Sequence, residues 1–505
     1  MMVRLNQFPH LYNGGSMPAV EIPAISGADF RQLVAAALDG RYRLCAYFGR
    51  RTAPGAVQLY AILGNDAEGR LLPLSTHVRD QFESITPICP QAHLFEREIQ
   101  EQLGIRITGH PWNKPVRFTV PDYPPAGEAV PPPEIGRTDF YRVEGEEIHE
   151  VAVGPVHAGV IEPGHFRFQC HGEIVQHLEI SLGYQHRGIE SHLVGGPHPR
   201  TLLHMQTLAG DTSIGHATAY AQIIEGLALL PVSARAMYVR GIALELERLA
   251  NHAGDLGALA GDIGFLPTQN YNGAIRGDFL NMTAAICGNR LGRSLVTPGG
   301  VRFDIDADLA GDLRRRLDKA RAEITSSFEL LLDTPSVISR FEGTGTVDPD
   351  TARSIGLVGP AARSGGIDRD IRHDYPKGIW QIHHIPVATW DEGSVLGRAM
   401  VRWLEIQRSL TFLNDILGAI PKGRLEAPAK PLAANRLAVT LVEGWRGEIC
   451  HVAITGPDSR FLRYKVVDPS FHNWFGLALA LRNQAISDFP LCNKSFNLSY
   501  CGFDL

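Results

Sequence analysis

Pro121-Asp-Tyr-Pro-Pro-Ala-Gly-Glu-Ala-Val-Pro-Pro-Pro133 divides this sequence. Proline has no N–H and a fixed φ, so the run can neither propagate a helix nor fill a central strand. It reads as a stiff linker, assigned to 121–145, between a piece over 1–120 and a piece over 146–505. The first piece mixes strand-like runs, Tyr42-Arg-Leu-Cys-Ala-Tyr-Phe48 and Val57-Gln-Leu-Tyr-Ala-Ile-Leu63, with helical patches; this predicts a small domain of mixed α and β structure. The second opens on Phe166-Arg-Phe168, a turn at His171-Gly172, and then Ile174, Leu178, Ile180 and Leu182 at even spacing, broken at Gln176. A period of two predicts a β-hairpin or meander.

Beyond it, apolar residues recur at steps of three and four. One stripe runs Ile242, Leu246, Leu249, Ala253, Leu256, Ala260; a second Leu309, Leu313, Leu317, Ala320, Ile324, Phe328, Leu331; a third Leu396, Met400, Trp403, Leu410, Leu413, Leu417. Gly or Pro interrupts each within a few turns, which favours a packed helical bundle over a coiled coil. The expected fold class is α+β: a small N-terminal mixed domain, a Pro-rich linker and a large, mainly helical domain with an opening hairpin.

Composition narrows the function. With 505 residues, 44% of them hydrophobic, and a formal net charge of −6, the chain is a folded protein rather than a disordered one. No basic arm for nucleic acid is present. No apolar run approaches the roughly 18 residues of a membrane helix, so membrane attachment is expected through partners. Seven scattered cysteines and a start, MMVRLNQFPH, without the apolar core of a signal peptide predict a reduced, cytoplasmic setting. No Cys-x-x-Cys pair occurs, so zinc ribbons and clusters built on the chain's own thiolates are not expected. Gly343-Thr-Gly345 begins like a dinucleotide fingerprint, but Asp348 stands where its third glycine belongs. P-loop, His-Glu-x-x-His and Gly-x-Ser-x-Gly motifs are absent.

What remains are histidine, arginine and carboxylate clusters. In Gly183-Tyr-Gln-His-Arg-Gly-Ile-Glu190, His186 and Glu190 stand four apart and would share one face of a helix, with Arg187 beside them. His157, in Gly154-Pro-Val-His157, and His216, in Ser213-Ile-Gly-His216, complete the set.

Taken in order, these segments resemble a known family. Leu94-Phe-Glu-Arg-Glu-Ile-Gln-Glu-Gln-Leu-Gly-Ile105 and Thr108-Gly-His-Pro111 resemble the 30-kDa-type subunit of respiratory complex I. Gly154 to His157, Leu182 to Glu190 and Gly215-His-Ala-Thr-Ala-Tyr220 resemble the 49-kDa-type subunit. Fused in this order they are similar to the large subunit of formate hydrogenlyase and related group 4 energy-converting hydrogenases. The likeness continues through Gly365 to Asp370, Asp391 to Arg398, Val442 to Glu448 and Asp488 to Asn497.

Active hydrogenases of this family hold nickel and iron with two Cys-x-x-Cys pairs. Here the four ligand positions carry Ala209, Thr212, Ser470 and Asn473. An alanine has no donor, and neutral oxygens serve thiolate-demanding metals poorly, so the expectation is no nickel–iron centre and no hydrogen turnover. Asp211, His216 and His472 could offer an alternative nitrogen and oxygen site. The likeness to complex I implies instead that the pocket receives a quinone. It further implies a small partner subunit carrying a [4Fe–4S] cluster, ferredoxin-like and membrane subunits, no cofactor on this chain alone, and a peripheral place on the cytoplasmic side of the inner membrane. His157 takes the place of the family's opening-hairpin histidine and is the first candidate proton donor. His186, His216 and Glu190 are further candidates, with Arg187 facing the partner's cluster. The family's companion tyrosine falls near Gly210 and is missing. The competing expectation is a non-catalytic scaffold that kept the family's interfaces.

Overall fold

The computed structural model describes residues 5–38, 41–53, 56–121 and 133–505. Residues 122–132, most of the proline-rich stretch, lie outside the described residues. The fold is α+β.

Both expected strand runs form. Tyr42–Ala53 and Ala56–Asn65 pair antiparallel and continue through Arg70–Arg79, Gln81–Glu83 and Arg106–Thr108 in one sheet. Tyr42 to Gly49 are buried without alternation, as expected of a strand covered on both faces. Phe30 of the Gly27–Leu38 helix packs on Tyr47 at 6.0 Å between ring centres.

The opening hairpin is part of a three-stranded meander of Ile148–Val153, His165–His171 and Ile174–Ser181. Gln169 pairs with His177 but Cys170 with Val175, so Gln176 is the extra residue of a β-bulge. The bulge shifts the inward face: Val175 is buried and Ile174 is 40% exposed, against the even spacing expected from the sequence.

Five long helices form the bundle: Ser213–Ala228, Ala234–Asp262, Leu266–Cys287, Ala307–Leu332 and Val395–Leu417. Ser233, Asp306 and Ser394 cap three of them by accepting from Ala236, Leu309 and Gly397 N–H, each cap being worth about 1 kcal/mol. The first stripe is buried along its whole length, and the second from Leu313 onward. The third is offset, because Leu396, Met400 and Trp403 are only partly buried. In that half the helix turns Arg402, Glu405 and Ser409 inward instead.

Glu405 belongs to a buried lattice in which no member is more than 5% exposed. Arg363 reaches Glu405 at 2.6 Å and Glu443 at 2.8 Å; Arg372 reaches Asp370 at 2.6 Å and Glu245 at 3.2 Å; His252 meets Glu405 at 2.7 Å. The motifs Gly365 to Asp370 and Val442 to Glu448 thus contribute Asp370 and Glu443 to the interior. Arg398 of Asp391 to Arg398 is likewise internal, donating to Gly393 O, Gly345 O and Ser495 Oγ.

A third sheet closes the site. Phe461–Val467, Gly447–Thr455 and Arg436–Gly444 lie side by side, and Gly15–Pro18 completes the edge. Asn13 directs this early segment: its amide donates to Tyr375 O and Leu441 O and accepts from Leu441 N. Gly444 pairs with Gly447, so Trp445 and Arg446 form a two-residue hairpin tip; Gly447, at φ +130, supplies backbone that L side chains rarely adopt.

Candidate functional site

The four positions that the sequence resemblance sets against metal-ligand cysteines lie at the start of the Ser213–Ala228 helix and at the start of the Pro469–Ala480 helix, two helix starts that the His216–Asp468 bond joins. Ala209, Thr212, Ser470 and Asn473 are all at most 1% exposed. Each polar one is committed to the protein. Asn473 forms a closed pair with Val358, accepting from its N–H at 3.0 Å and donating to its C=O at 3.1 Å. Ser470 Oγ accepts from Ser499 N–H at 2.9 Å. Thr212 Oγ1 donates to Asp211 at 3.2 Å. These residues do not fit a nickel–iron centre, since soft anionic donors are missing and the neutral oxygens and nitrogen are already bonded.

Arg446, at the hairpin tip, holds the first loop in place. It grips Asp211 with two bonds of 2.6 and 2.7 Å and lies 3.9 Å over the Trp445 ring, while Trp445 Nε1 donates to Asp211 O. Burial pushes the Asp211 carboxyl up, but Arg446 outweighs it and holds the group below its ordinary value.

Behind the vacated positions runs a buried chain of hydrogen bonds. Tyr464 Oη lies 2.9 Å from His451 Nδ1, His451 Nε2 3.1 Å from His216 Nδ1, and His216 Nε2 3.0 Å from Asp468 Oδ2. One assignment of protons with both rings neutral satisfies every bond: Tyr464 donates to His451, His451 to His216, and His216 to Asp468. Burial, with His216 adding to it, pushes the His451 pKa far down, and burial pushes the Tyr464 hydroxyl far up. Burial also opposes the Asp468 charge, yet the His216 bond, Arg446 and the Ser470 N–H outweigh it and keep the carboxyl below its usual range. Gly502 permits this approach, because a Cβ there would stand 2.8 Å from the Asp468 carboxylate.

The other sequence candidates are dispersed. His186 and Glu190 do not share a helix: the helix is Ile189–Leu193, and His186 closes a turn onto Gly183 O. Gly188, in the left-handed region at φ +65, ends that turn and starts the helix too late to include His186. His186 Nδ1 instead meets Asp504 O at 2.6 Å. Glu190 accepts from Arg463 at 2.9 Å and Lys465 at 3.0 Å, and Lys465 continues to Glu98 at 2.7 Å. Burial opposes the Glu190 charge, but Lys465 and Arg463 outweigh it and hold the carboxyl well below the usual range. His186 and Glu190 do line one cavity of about 360 Å³ with Arg117 and Tyr184.

Arg187 bears directly on the vacated loop. Its guanidinium donates to Thr207 O, Leu208 O and Cys501 O, tying the residues before Ala209 to the 497–504 segment. His157 belongs to its own turn, with Nε2 2.9 Å from Gly164 O and its ring 5.8 Å from Phe166, whereas His216 bonds His451 and Asp468. The alternative metal trio does not assemble: His216 is bonded to His451 and Asp468, Asp211 to Arg446, and His472 packs edge-on to Phe95. Among the described residues no group of three or more His, Cys, Asp and Glu side chains is placed to hold a metal.

Sequence reasoning missed His451, Tyr464, Asp468 and Arg446. A histidine inside the apolar strand Ile449-Cys-His-Val-Ala453 carried the available signal, because a buried ring nitrogen requires a partner.

Comparison with known proteins agrees with this architecture. Residues 32–127 match the respiratory-chain NADH dehydrogenase 30 Kd subunit family and residues 262–437 the 49 Kd subunit family. The chain is 30% identical over 351 residues to the carbon monoxide-induced hydrogenase of Rhodospirillum rubrum, covering 69% of this chain and 97% of that protein. It is 29% identical over 438 residues to formate hydrogenlyase subunit 5 of Escherichia coli K12, covering 84% and 76%. A chain of the membrane-bound sulfane sulfur reductase, an archaeal respiratory membrane complex, shares the fold with a TM-score of 0.67 at 21% identity, covering 72% of this chain and all of that one. Relatives are subunits of multi-subunit membrane complexes, so other subunits are implied, and among the described residues no helix is long and apolar enough to cross a membrane. The chain belongs to the family of fused 30-kDa/49-kDa-type large subunits shared by complex I and the group 4 hydrogenases.

Proposed function

We propose that this chain is the core subunit of a membrane-associated, complex I-like oxidoreductase that passes electrons from a partner's [4Fe–4S] cluster to an acceptor of the quinone class, without hydrogen chemistry. The small iron–sulfur subunit would lie against the face carrying Arg187, and membrane subunits would attach the complex to the cytoplasmic side of the inner membrane. The observation that carries this reading is the Tyr464–His451–His216–Asp468 chain beside the vacated positions. Reducing a quinone takes two electrons and two protons, and the protein must supply the protons.

With that assignment the hydrogen bonds point one way, so a proton entering at Tyr464 can be handed on bond by bond to Asp468, whose carboxyl passes it to the reduced acceptor. An imidazole bonded through both ring nitrogens can take a proton on one and release another from the other, and the Asp468 carboxylate, held below its usual range, receives it. Arg187 would stabilise the reduced partner cluster, and the acceptor-facing roles of His157, His186 and Glu190 are part of the same proposal. Coupling to ion movement would follow from the changed protonation of this interior.

The filled ligand positions favour a second reading, a scaffold in which Leu182 to Glu190 and Asp391 to Arg398 serve packing and interfaces. The deciding experiment is reduction of quinone analogues by the intact complex carrying His216→Gln or His157→Ala. The proposal expects His216→Gln to slow the reaction about 10²-fold. Unchanged rates in both variants support the scaffold, and stoichiometric nickel or dihydrogen release overturns both readings.

A further inference from the structure

The helix that presents His216 at one end borders a separate cavity at the other. Ser213–Ala228 spans 16 residues, or about 24 Å, and Thr218, Gln222, Glu225 and Gly226 along it wall a space of about 680 Å³. That volume lies within the roughly 300–1,000 Å³ of small-molecule sites. Thr218 and Gln222, four apart on one helix face, line it together with Lys377. Leu230, Met237, Leu244 and Trp380 supply an apolar wall.

Three polar side chains in the wall have a hydrogen to donate. Thr218 Oγ1 belongs to a residue 2% exposed and has no hydrogen-bond partner. The Gln222 carbonyl oxygen is taken by Thr440 Oγ1 at 2.5 Å, which leaves its NH₂ for the cavity. Lys377 forms no ion pair among the described residues, and Gly14 leaves room for its stem, since a Cβ there would stand 3.0 Å from Lys377 Cε. The other charges in the wall cancel: Glu225 and Arg240 bind each other at 2.6 Å, and Glu225 also accepts from Gly299 N–H.

Thr218, Gln222, Lys377 and Trp380 also line a smaller space of about 20 Å³ that reaches Arg372 and Glu443, room for about one water. They therefore mark the inner end of the large cavity, whereas Leu229, 76% exposed, stands at its mouth. One surplus positive charge, three donors inside and an apolar passage outward complement an acceptor-only anionic head on an apolar tail.

We propose that this cavity binds a monoanionic amphiphile of the fatty-carboxylate class, its carboxylate held by Lys377, Gln222 and Thr218 and its chain laid along Leu244, Met237 and Leu230. The site is independent of the redox reading, because it shares no residue with the vacated positions or the histidine chain.

The test is calorimetric titration of the full chain with dodecanoate, dodecanol and dodecyl phosphate below their aggregation concentrations, repeated on the intact complex. Dodecanoate is expected to bind at one per chain and at least about tenfold more tightly than dodecanol. Lys377→Met should remove that advantage while leaving the dodecanol affinity and the melting temperature unchanged; Met237→Trp, which fills the passage, should weaken both ligands. Absence of dodecanoate binding, equal affinity for dodecanoate and dodecanol, or an unaltered preference in Lys377→Met overturns the proposal. Tighter binding of dodecyl phosphate overturns the carboxylate assignment, and binding to the chain but not to the complex shows that a partner subunit fills the cavity instead.

Discussion

Two interior regions of this molecule are buried, and they solve the burial of polar atoms in opposite ways. At the vacated ligand positions, Ser470 and Asn473 are neutral and bond to nearby backbone at Ser499 and Val358. In the lattice between helices and sheet, Arg363 and Arg372 are paired with Asp370, Glu245 and Glu405, and burial lifts the Glu443 carboxyl beside Arg363 to about 7. The first arrangement is local, so each residue can be exchanged with limited consequence. The second is collective, because Arg363, Arg372, Glu245 and Glu405 each pair with two or more opposite charges, and removing one leaves its partners undercompensated.

The strongest blow to this contrast falls on the lattice. Arg363→Met strands Glu405 and Glu443, and chemical denaturation of the full chain should show a loss of about 3–5 kcal/mol; a loss below about 1 kcal/mol would make the two regions alike. Asn473→Ala should cost less, about 1–3 kcal/mol, because it leaves only the Val358 N–H and C=O without partners. If that variant proved as damaging as Arg363→Met, the vacated site would be a structural keystone rather than a local repair.

The smallest effect is a matter of pH. Asp468 is held below its ordinary value chiefly through His216. A carboxyl with a depressed folded pKa contributes stability that is fully present above the unfolded value near 3.9 and is lost as pH falls through the folded value. His216→Gln weakens that hold, so its acid-unfolding midpoint should move upward by about half a pH unit, read by tryptophan fluorescence across pH 2–5.

The bundle helices were legible because their stripes repeat at helical spacing, and Ile242 to Ala260 are buried along the expected face. The break at Gln176 was visible too, but its meaning as a bulge depends on pairing across the hairpin. The Gly15–Pro18 strand was not legible. Four residues ending in proline carry no alternation, and their partner lies at the other end of the sequence. The site was readable only in part, since Arg187 and His216 came from a recognisable order of motifs. His451 and Tyr464 sit on strands whose apolar neighbours look like any core, and Arg446 acts only because a two-residue turn carries it to Asp211.

The stitching of Gly15–Pro18 onto Arg436–Gly444 has a consequence for biogenesis. Arg436 bonds Ser16 across 420 residues of sequence, so the early segment cannot dock until residue 436 has been made, and its docking is a sign that synthesis has passed the hairpin.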